Sequence, residues 1–543
     1  MKKINILIFT LSALVILILS PKGSFSWYND PKINSPVAAK NVNQVHHTGV
    51  SDGAGGAIIS WAEKAEGDDF EFDIYAQRID SHGDPAWSTP VAICTAPGFQ
   101  GFPQIASDGG GGAIIVWHDS REGWDNNYGN FNIYAQRING NGQIMWAING
   151  IPICTAPEYQ VFQRIVSDGM GGVIITWDDG RNGNHVYAQR VDSGGQIKWQ
   201  QDGVLVCEGT DLQSDPAISY DGFGGAIIVW IDYRAGGELD IYAQKLDGNG
   251  NIMWGPTGVP LSTAVGPQFS GRVTSDGFGG GIFSWIDGRQ GEGQYNVYSQ
   301  RVDSNGTVMW LLQGIPIAAD TDGSQWDNAI ISDGVGGAII VWEDGRKQDG
   351  DTDIYAQRVT AQGVPFWNAG GTPVVTTDEV QIRPTLISDG SGGAFITWMD
   401  FYRGGTYWNI YAQHIDGSGQ ATWKKDGIAV SIADETQSDP LIISDGSGGS
   451  IIVWYDGRSE TYYNIYAQHV NSLGLLGGGE FRFDTLDIDG NPKTVFAPGE
   501  LILFKSTWVM PAPLIQGTYQ AESATVINSY TDFRHQSISY EVR

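Results

Sequence analysis

A single phrase returns eight times along this chain: a Gln, an Asp-Gly turn eight positions later, an apolar run ending in Trp, and then Tyr-x-Gln. The turns begin at Asp52, Asp108, Asp168, Asp221, Asp276, Asp333, Asp389 and Asp445, each 53 to 60 residues after the last. A period of that length is the signature of propellers and solenoids. Within one unit, Gly112-Ala113-Ile114-Ile115-Val116-Trp117 is short, β-branched and bounded by Gly, which predicts a buried strand rather than a helix. Ile133 to Ile138 reads as the next strand, and Asn139-Gly140-Asn141-Gly142 carries hairpin chemistry. With the stretch from Gln100 to Ser107 and a last short strand at Ile151-Pro152-Ile153, each unit holds four strands and no helix. Such units set about an axis are the blades of a β-propeller.

The two ends decide between an open stack and a closed ring. The last-strand signature, a Trp leading into a short apolar run, occurs at Trp87, Trp146, Trp199, Trp254, Trp310, Trp367 and Trp423, one fewer than the Asp-Gly turns. After Tyr466 and Gln468 it is missing, and a copy stands instead at Trp27 with Ser35-Pro36-Val37-Ala38. The expectation is an all-β, eight-bladed propeller over residues 27–475, with 27–43 completing the last blade. A clasp of this kind removes open sheet edges. Residues 476–543 abandon the repeat. Strand-like stretches at Glu500–Phe504, Thr518–Ile527 and Ser537–Val542 predict a small β-sandwich-like domain, with an immunoglobulin-like fold as one candidate form.

Lys2-Lys3, an apolar run from Ile4 to Leu19 and Ser24-Phe25-Ser26 fit a secretory signal over residues 1–26, with an uncleaved anchor as the alternative. A secreted or cell-surface location is therefore expected. The net charge of −30 repels phosphate backbones, so nucleic acid is not an expected partner. Cys94, Cys154 and Cys207 fall at one repeat position on successive blades, where Ser262, Ala318, Thr376 and Ser431 stand elsewhere. Equivalent positions on neighbouring blades are too far apart for a disulfide, so these read as free structural thiols.

A group present in every blade is spread around a circle, and its default role is architectural. On that ground the strand Trp set (Trp61, Trp117, Trp177, Trp230, Trp285, Trp342, Trp398, Trp454) is expected to pack between blades. The eight opening Gln residues are expected to satisfy connector backbone, and the Tyr and Gln of Tyr-x-Gln to bridge sheets by hydrogen bonds. The Asp and Arg that follow most of the Trp residues, such as Asp119 and Arg121, are expected to pin a turn as an exposed pair.

Symmetry breaks two residues after each opening Gln, where the ring reads His46, Phe102, Phe162, Asp215, Ser270, Asp327, Arg383 and Asp439. These should crowd one mouth of the central channel. His46, Asp215, Asp327, Arg383 and Asp439 are the candidate ligand-binding residues there. A second variable region is the loop after Trp-x-Asp-x-Arg, expected on the same face, with Trp124, Tyr128, Tyr295, Tyr407, Trp408, Tyr462 and Tyr463 as aromatic platforms for sugars or a protein partner. Asp349, Asp351 and Asp353 give a weak calcium-like spacing without the other EF-hand ligands, so no cofactor is expected, with calcium as the alternative.

The phrase Asp-Gly-x-Gly-Gly-Ala-Ile-Ile-x-Trp-x-Asp-x-Arg, followed by Ile-Tyr-Ala-Gln-Arg-Val-Asp, resembles repeats of secreted bacterial β-propeller proteins. The resemblance covers roughly residues 27 to 475 and implies the fold and an extracytoplasmic location, with no activity to transfer. The Asp-Gly turns lack the Ser-x-Asp-x-Gly-x-Thr-Trp order of sialidase Asp-boxes. The repeats also lack the Thr-Gly-x-x-x-Trp pattern of quinoprotein dehydrogenases. The expected function is a non-catalytic scaffold that binds a protein or glycan at the cell surface. A polysaccharide hydrolase or lyase using the acids of the channel mouth is the alternative.

Overall fold

The computed structural model describes residues 27–477, apart from the loop positions 66–70, 124–129, 210, 235, 237, 292, 319–322, 348–349, 402 and 404–406. It also describes short strands at Lys3–Ile4, Phe481–Leu486, Leu503–Trp508 and Ile538–Ser539. The signal segment expected over 1–26, the aromatics Trp124 and Tyr128, Asp349, and the stretch Thr518–Ile527 therefore lie outside the described residues, apart from Lys3–Ile4. Of the expected C-terminal domain, one antiparallel pair is described, with Phe481 opposite Trp508.

Eight four-stranded antiparallel sheets form the propeller. In blade two the strands run Gln100–Ser107 on the inside, then Ala113–Asp119, Asn132–Ile138 and, outermost, Ile151–Cys154. Blade eight has three strands of its own, Gln437–Ser444, Ser450–Asp456 and Asn464–Val470. Its outer strand is Ser35–Ala38, with Ser35 opposite Ala467 and Pro36 opposite Tyr466. The expected clasp is thus present. Trp27 takes the place of an eighth outer-strand Trp: its Nε1 donates to Ser81 O of blade one at 2.9 Å. Trp87 does the same from blade one to Gly140 O of blade two at 3.1 Å.

Between blades, the second-strand Trp packs on the outer strand of the preceding blade, as Trp117 does with Ile93, Cys94 and Ala96. All eight of these Trp rings are fully buried. Removing each ring from water is worth about 2 to 3 kcal/mol.

The Asp-Arg pair is more than an exposed turn pin. Asp119 is buried and collects Trp117 Nε1 at 2.8 Å together with two bonds from Arg121, at 2.9 and 2.6 Å. Arg121 also donates to Cys94 Sγ of the preceding blade at 3.2 Å and to Asn149 O at 2.8 Å. Burial makes loss of one partner from such a fork far costlier than from a solvated pair, because the other is left uncompensated. The tyrosines work differently from the expected hydrogen-bonded bridges. Tyr134 lies flat under the Arg121 guanidinium, 3.8 Å from ring centroid to carbon, and six further blades repeat an Arg over this Tyr. The Gln of Tyr-x-Gln bonds within its own blade, Gln136 Nε2 reaching Ala147 O at 2.6 Å. Five of the opening Gln residues serve connector carbonyls as expected, Gln160 Nε2 reaching those of Ala156, Pro157 and Glu158, whereas Gln44 Nε2 donates to Glu63 Oε2 at 2.9 Å.

On the opposite face, each turn Asp binds the N–H groups two and four positions on, as Asp108 Oδ1 does for Gly110 and Gly112, both at 2.8 Å. Cys94, Cys154 and Cys207 are buried free thiols, in agreement with the sequence reading. Among the described residues no helix is long and apolar enough to cross a membrane.

Candidate functional site at the channel mouth

Every inner strand is broken at the same place. In blade two, Gly101 pairs with His118 and Gln104 with Val116, so Phe102 and Pro103 together oppose one residue. The same two-against-one shift occurs in the other seven blades. This is a β-bulge, a device that re-aims a side chain at the end of a ladder. Its first residue is left-handed throughout: His46, Phe102, Phe162, Asp215, Ser270, Asp327, Arg383 and Asp439 have φ between 43° and 56°. None is Gly; Asp215, Asp327 and Asp439 are of a type that adopts this conformation at moderate cost, whereas Phe102, Phe162 and Arg383 are not. The side chains singled out by broken symmetry are therefore the ones turned out of the ladder at the channel mouth.

The structure groups them into three neighbourhoods. Across blades one and two, the His46 ring stacks on Phe102 with centroids 3.6 Å apart, and Phe102 meets His118 at 4.9 Å. His47 lies edge-on to Tyr455 of blade eight at 4.4 Å and donates its backbone N–H to Tyr455 Oη at 3.0 Å. Burial pushes His46 and His47 down to about 4, and burial with His46 nearby takes His118 to about 3. All three imidazoles are neutral at pH 7, and the buried Nδ1 of each has no hydrogen-bond partner among the described residues.

Across blades three and four, Asp215 N donates to Asp178 Oδ2 at 3.3 Å, and Arg164 Nη2 stands 4.0 Å from Asp215 Oδ1. Burial, with the Asp215 charge adding to it, pushes the Asp178 carboxyl up to about 7. Across blades six to eight, Arg383 N donates to Glu343 Oε1 at 2.7 Å, while the Arg383 side chain forms an ion pair with Asp439. Burial, and secondarily Asp327, raises Glu343 to about 7. Thus Arg383 and Asp439 meet directly, and Asp215 and Asp327 each stand beside a protonatable carboxyl. No contact joins His46 to any of the four other candidates among the described residues.

Of the described aromatics expected in the loops, Tyr295 contacts residues that adjoin the bulges. Tyr295 packs on Trp326, centroids 4.5 Å apart, and on Phe269 at 5.5 Å. Tyr407 and Tyr463 are exposed. Tyr462 is half-buried, its carbonyl taking the Ser459 hydroxyl at 2.5 Å. Trp408 corrects the loop assignment: it opens the strand Trp408–Ile415 and packs on Phe401 at 4.6 Å. Asp353 faces Lys347 Nζ at 3.0 Å, and no cluster of three or more metal-ligating side chains exists among the described residues.

Several site residues were missed from sequence: His118, Asp178, Glu343 and Tyr455 all sit between the invariant Trp and Asp of the repeat. That position reads Ala62, His118, Asp178, Ile231, Ile286, Glu343, Met399 and Tyr455 around the ring, an asymmetry as strong as that of the bulge. It belongs to the mouth because it faces the bulge of the following blade.

No protein-family model and no curated protein matches the chain. Solved structures do resemble it. A polysaccharide lyase, an ulvan lyase of family PL25 bound to -[GlcA(1-4)Rha3S]-, aligns over 73% of this chain and 96% of its own with 12% identity and a TM-score of 0.45. The β-propeller domain of the Trilobed protease from Pyrococcus furiosus aligns over 73% and 100%, with 10% identity and a TM-score of 0.39. The Hadza microbial sialidase Hz136 aligns over 56% and 64%, with 13% identity and a TM-score of 0.34. The chain is a β-propeller. Its structural neighbours include glycan-active enzymes, and at these identities the likeness extends to the fold alone.

Proposed function

We propose that the protein is an extracytoplasmic glycan-binding propeller whose ligand sits on the bulged mouth of the channel. The observation that supports this is the ring of eight left-handed bulge residues. Each of the residues other than Asp costs about 1 kcal/mol relative to Gly in the same conformation, and the Asp residues cost less. A purely architectural bulge would be served by Gly in every blade, yet all eight blades carry side chains there, and they differ. Phe102 and Phe162 are exposed at this ring, and Trp326 stands exposed beside it next to half-buried Tyr295. Apolar platforms interleaved with Asp215, Asp327 and Ser270 suit a sugar, which offers an apolar ring face and a fringe of hydroxyls. A glycan array followed by titration calorimetry tests it. Phe102→Ala and Asp327→Ala should each weaken the best hit roughly tenfold or more, with melting temperature unchanged within a few degrees. Unaltered affinity in both variants would refute the reading.

A second reading is cleavage of the bound chain. Glu343, held protonated near neutrality beside Asp327, is the observation that favours it, because a general acid needs such a value. Product analysis separates the two: new chain ends that disappear in Glu343→Gln support cleavage, and intact ligand recovered after binding supports a scaffold.

A further inference from the structure

Two residues beyond each left-handed bulge position, the inner strands contribute a second ring: Thr48, Gln104, Arg164, Ala217, Arg272, Ala329, Thr385 and Leu441. Six of its blades line a cavity of about 310 Å³ in the channel, below the mouth, with Gln104, Arg164, Arg272 and Thr385 as the polar side chains. The two arginines come from blades three and five, with only Ala217 between them, so nothing bulky fills the space across which they face each other. Arg272 has no ion pair among the described residues. Its one hydrogen bond runs from Nη1 to Gly271 O at 3.0 Å, beside its own backbone. Arg164 Nη1 likewise reaches Gln163 O at 3.3 Å, and its one ion-pair partner among the described residues, Asp215, stands at 4.0 Å and is itself half-open to solvent, with Asp178 acting on it at longer range. Gln104 turns its amide to the carbonyl of Pro103 at 3.1 Å.

This arrangement runs against the rest of the molecule. The chain carries 61 carboxylates against 31 Lys and Arg, and every Arg of the Trp-x-Asp-x-Arg motif is locked on an Asp. Here two cations converge in a concavity with most of their N–H donors unspent. Burial and the mutual repulsion of the pair oppose the charged state of Arg164, lowering it from its ordinary value. Guanidinium forks present planar pairs of donors that match the oxygens of a carboxylate, sulfate or phosphate.

We propose that the channel holds a binding site for a single oxyanionic group, gripped between Arg164 and Arg272 with Gln104 and Thr385 at its edge. The chemistry is the same whether that group is a free inorganic anion or an acidic substituent carried into the channel by a glycan at the mouth. The site itself does not depend on the glycan reading.

The test uses the full chain and inorganic sulfate, titrated calorimetrically at ionic strength held constant with chloride. Saturable binding by the native protein is expected, weakened roughly tenfold or more in Arg272→Gln and in Arg164→Lys, since each removes charge-assisted bonds from one fork. Thr48→Ala, on the same ring but away from the cavity, should leave it unchanged. Absence of saturable binding by the folded native protein, or equal affinity in Arg272→Gln, would overturn the proposal. A sulfated oligosaccharide displaced by inorganic sulfate would make the substituent the ligand, whereas sulfate binding with no such competition would make it a free ion. Phe102→Ala keeps these outcomes distinct from the mouth: it should lose glycan and retain sulfate.

Discussion

The Glu343 carboxyl accepts the backbone N–H of Arg383 at 2.7 Å, so a side chain of blade six caps the strained bulge of blade seven. Burial raises this carboxyl from its ordinary 4.5 to about 7. The folded state then binds a proton that the unfolded state releases between those values. The stabilising protonated form is fully present below about pH 4.5 and is lost as pH rises through 7. Glu343→Gln keeps an acceptor and drops the charge. It should leave stability nearly unchanged at pH 4 and raise it at pH 8 by at most about 3 kcal/mol, as read from urea unfolding at the two pH values.

The histidines of blades one and two give the opposite limb. His46, His47 and His118 are held neutral by burial, with values of about 4, 4 and 3 against an ordinary 6.5. Their contribution is present above pH 6.5 and is lost as pH falls through about 4, because the unfolded chain takes up the protons first. His118→Phe, placed among Phe99, Phe102 and Phe131, should reduce the loss of melting temperature between pH 6.5 and 4.

Ser270 isolates the conformational cost of the bulge. It has φ of 55°, and its main link to a neighbouring blade is its carbonyl, which receives Asn328 Nδ2 at 3.0 Å. Ser270→Gly preserves that bond and should stabilise the protein by up to about 1 kcal/mol, measured by denaturant midpoint. Ser270→Val should destabilise it.

The clasp predicts a large effect from a small change at the chain's beginning. Trp27 is buried, packs with Val37 and Val453, and donates to Ser81 O. Trp27→Ala should cost about 3 to 5 kcal/mol. Gel filtration should then show association, as the third strand of blade eight is left a poorly covered edge.

The thiols should be silent. Burial pushes Cys94 and Cys154 up to about 12, and Cys207 is also raised by burial. A thiol reagent at pH 8 should label none of the three in the native protein and all three in denaturant. Because Ser262 accepts Arg289 Nη2 at 3.1 Å just as Cys94 accepts Arg121, Cys94→Ser should cost less than about 1 kcal/mol. Cys94→Val, which strands the Arg121 donor, should cost more.

The ring was legible because its closure is written twice, in the absent Trp after Gln468 and the surplus Trp27. The bulge position was legible as variation among Phe102, Asp215 and Arg383, but its left-handed geometry was not. Local propensity would place Gly, Asn or Asp there, and at Phe102 a tertiary contact, Gln163 Nε2 to Phe102 O at 2.6 Å, holds the bulge in place instead. Asp178 and Glu343 hid between two invariant residues. Their neighbours across the blade boundary are about forty positions away in the chain, too far for spacing to reveal. The Asp-Arg pair was underrated for a similar reason: Arg121 reaches Cys94, a residue of the blade before, and only the packed ring shows that the pair is buried.

One consequence of the closing strand concerns order of assembly. Lys40 N finds its acceptor on Asn464, 424 positions along the chain. Seven sheets can form as they are made, each from contiguous sequence, but the first-synthesised strand has to wait, unmatched, for the last. Their meeting carries the largest loop-closure cost in the ring, since closure over that distance precedes any contact that rewards it. A ribosome halted before residue 464 would carry a nearly finished wheel that still lies open.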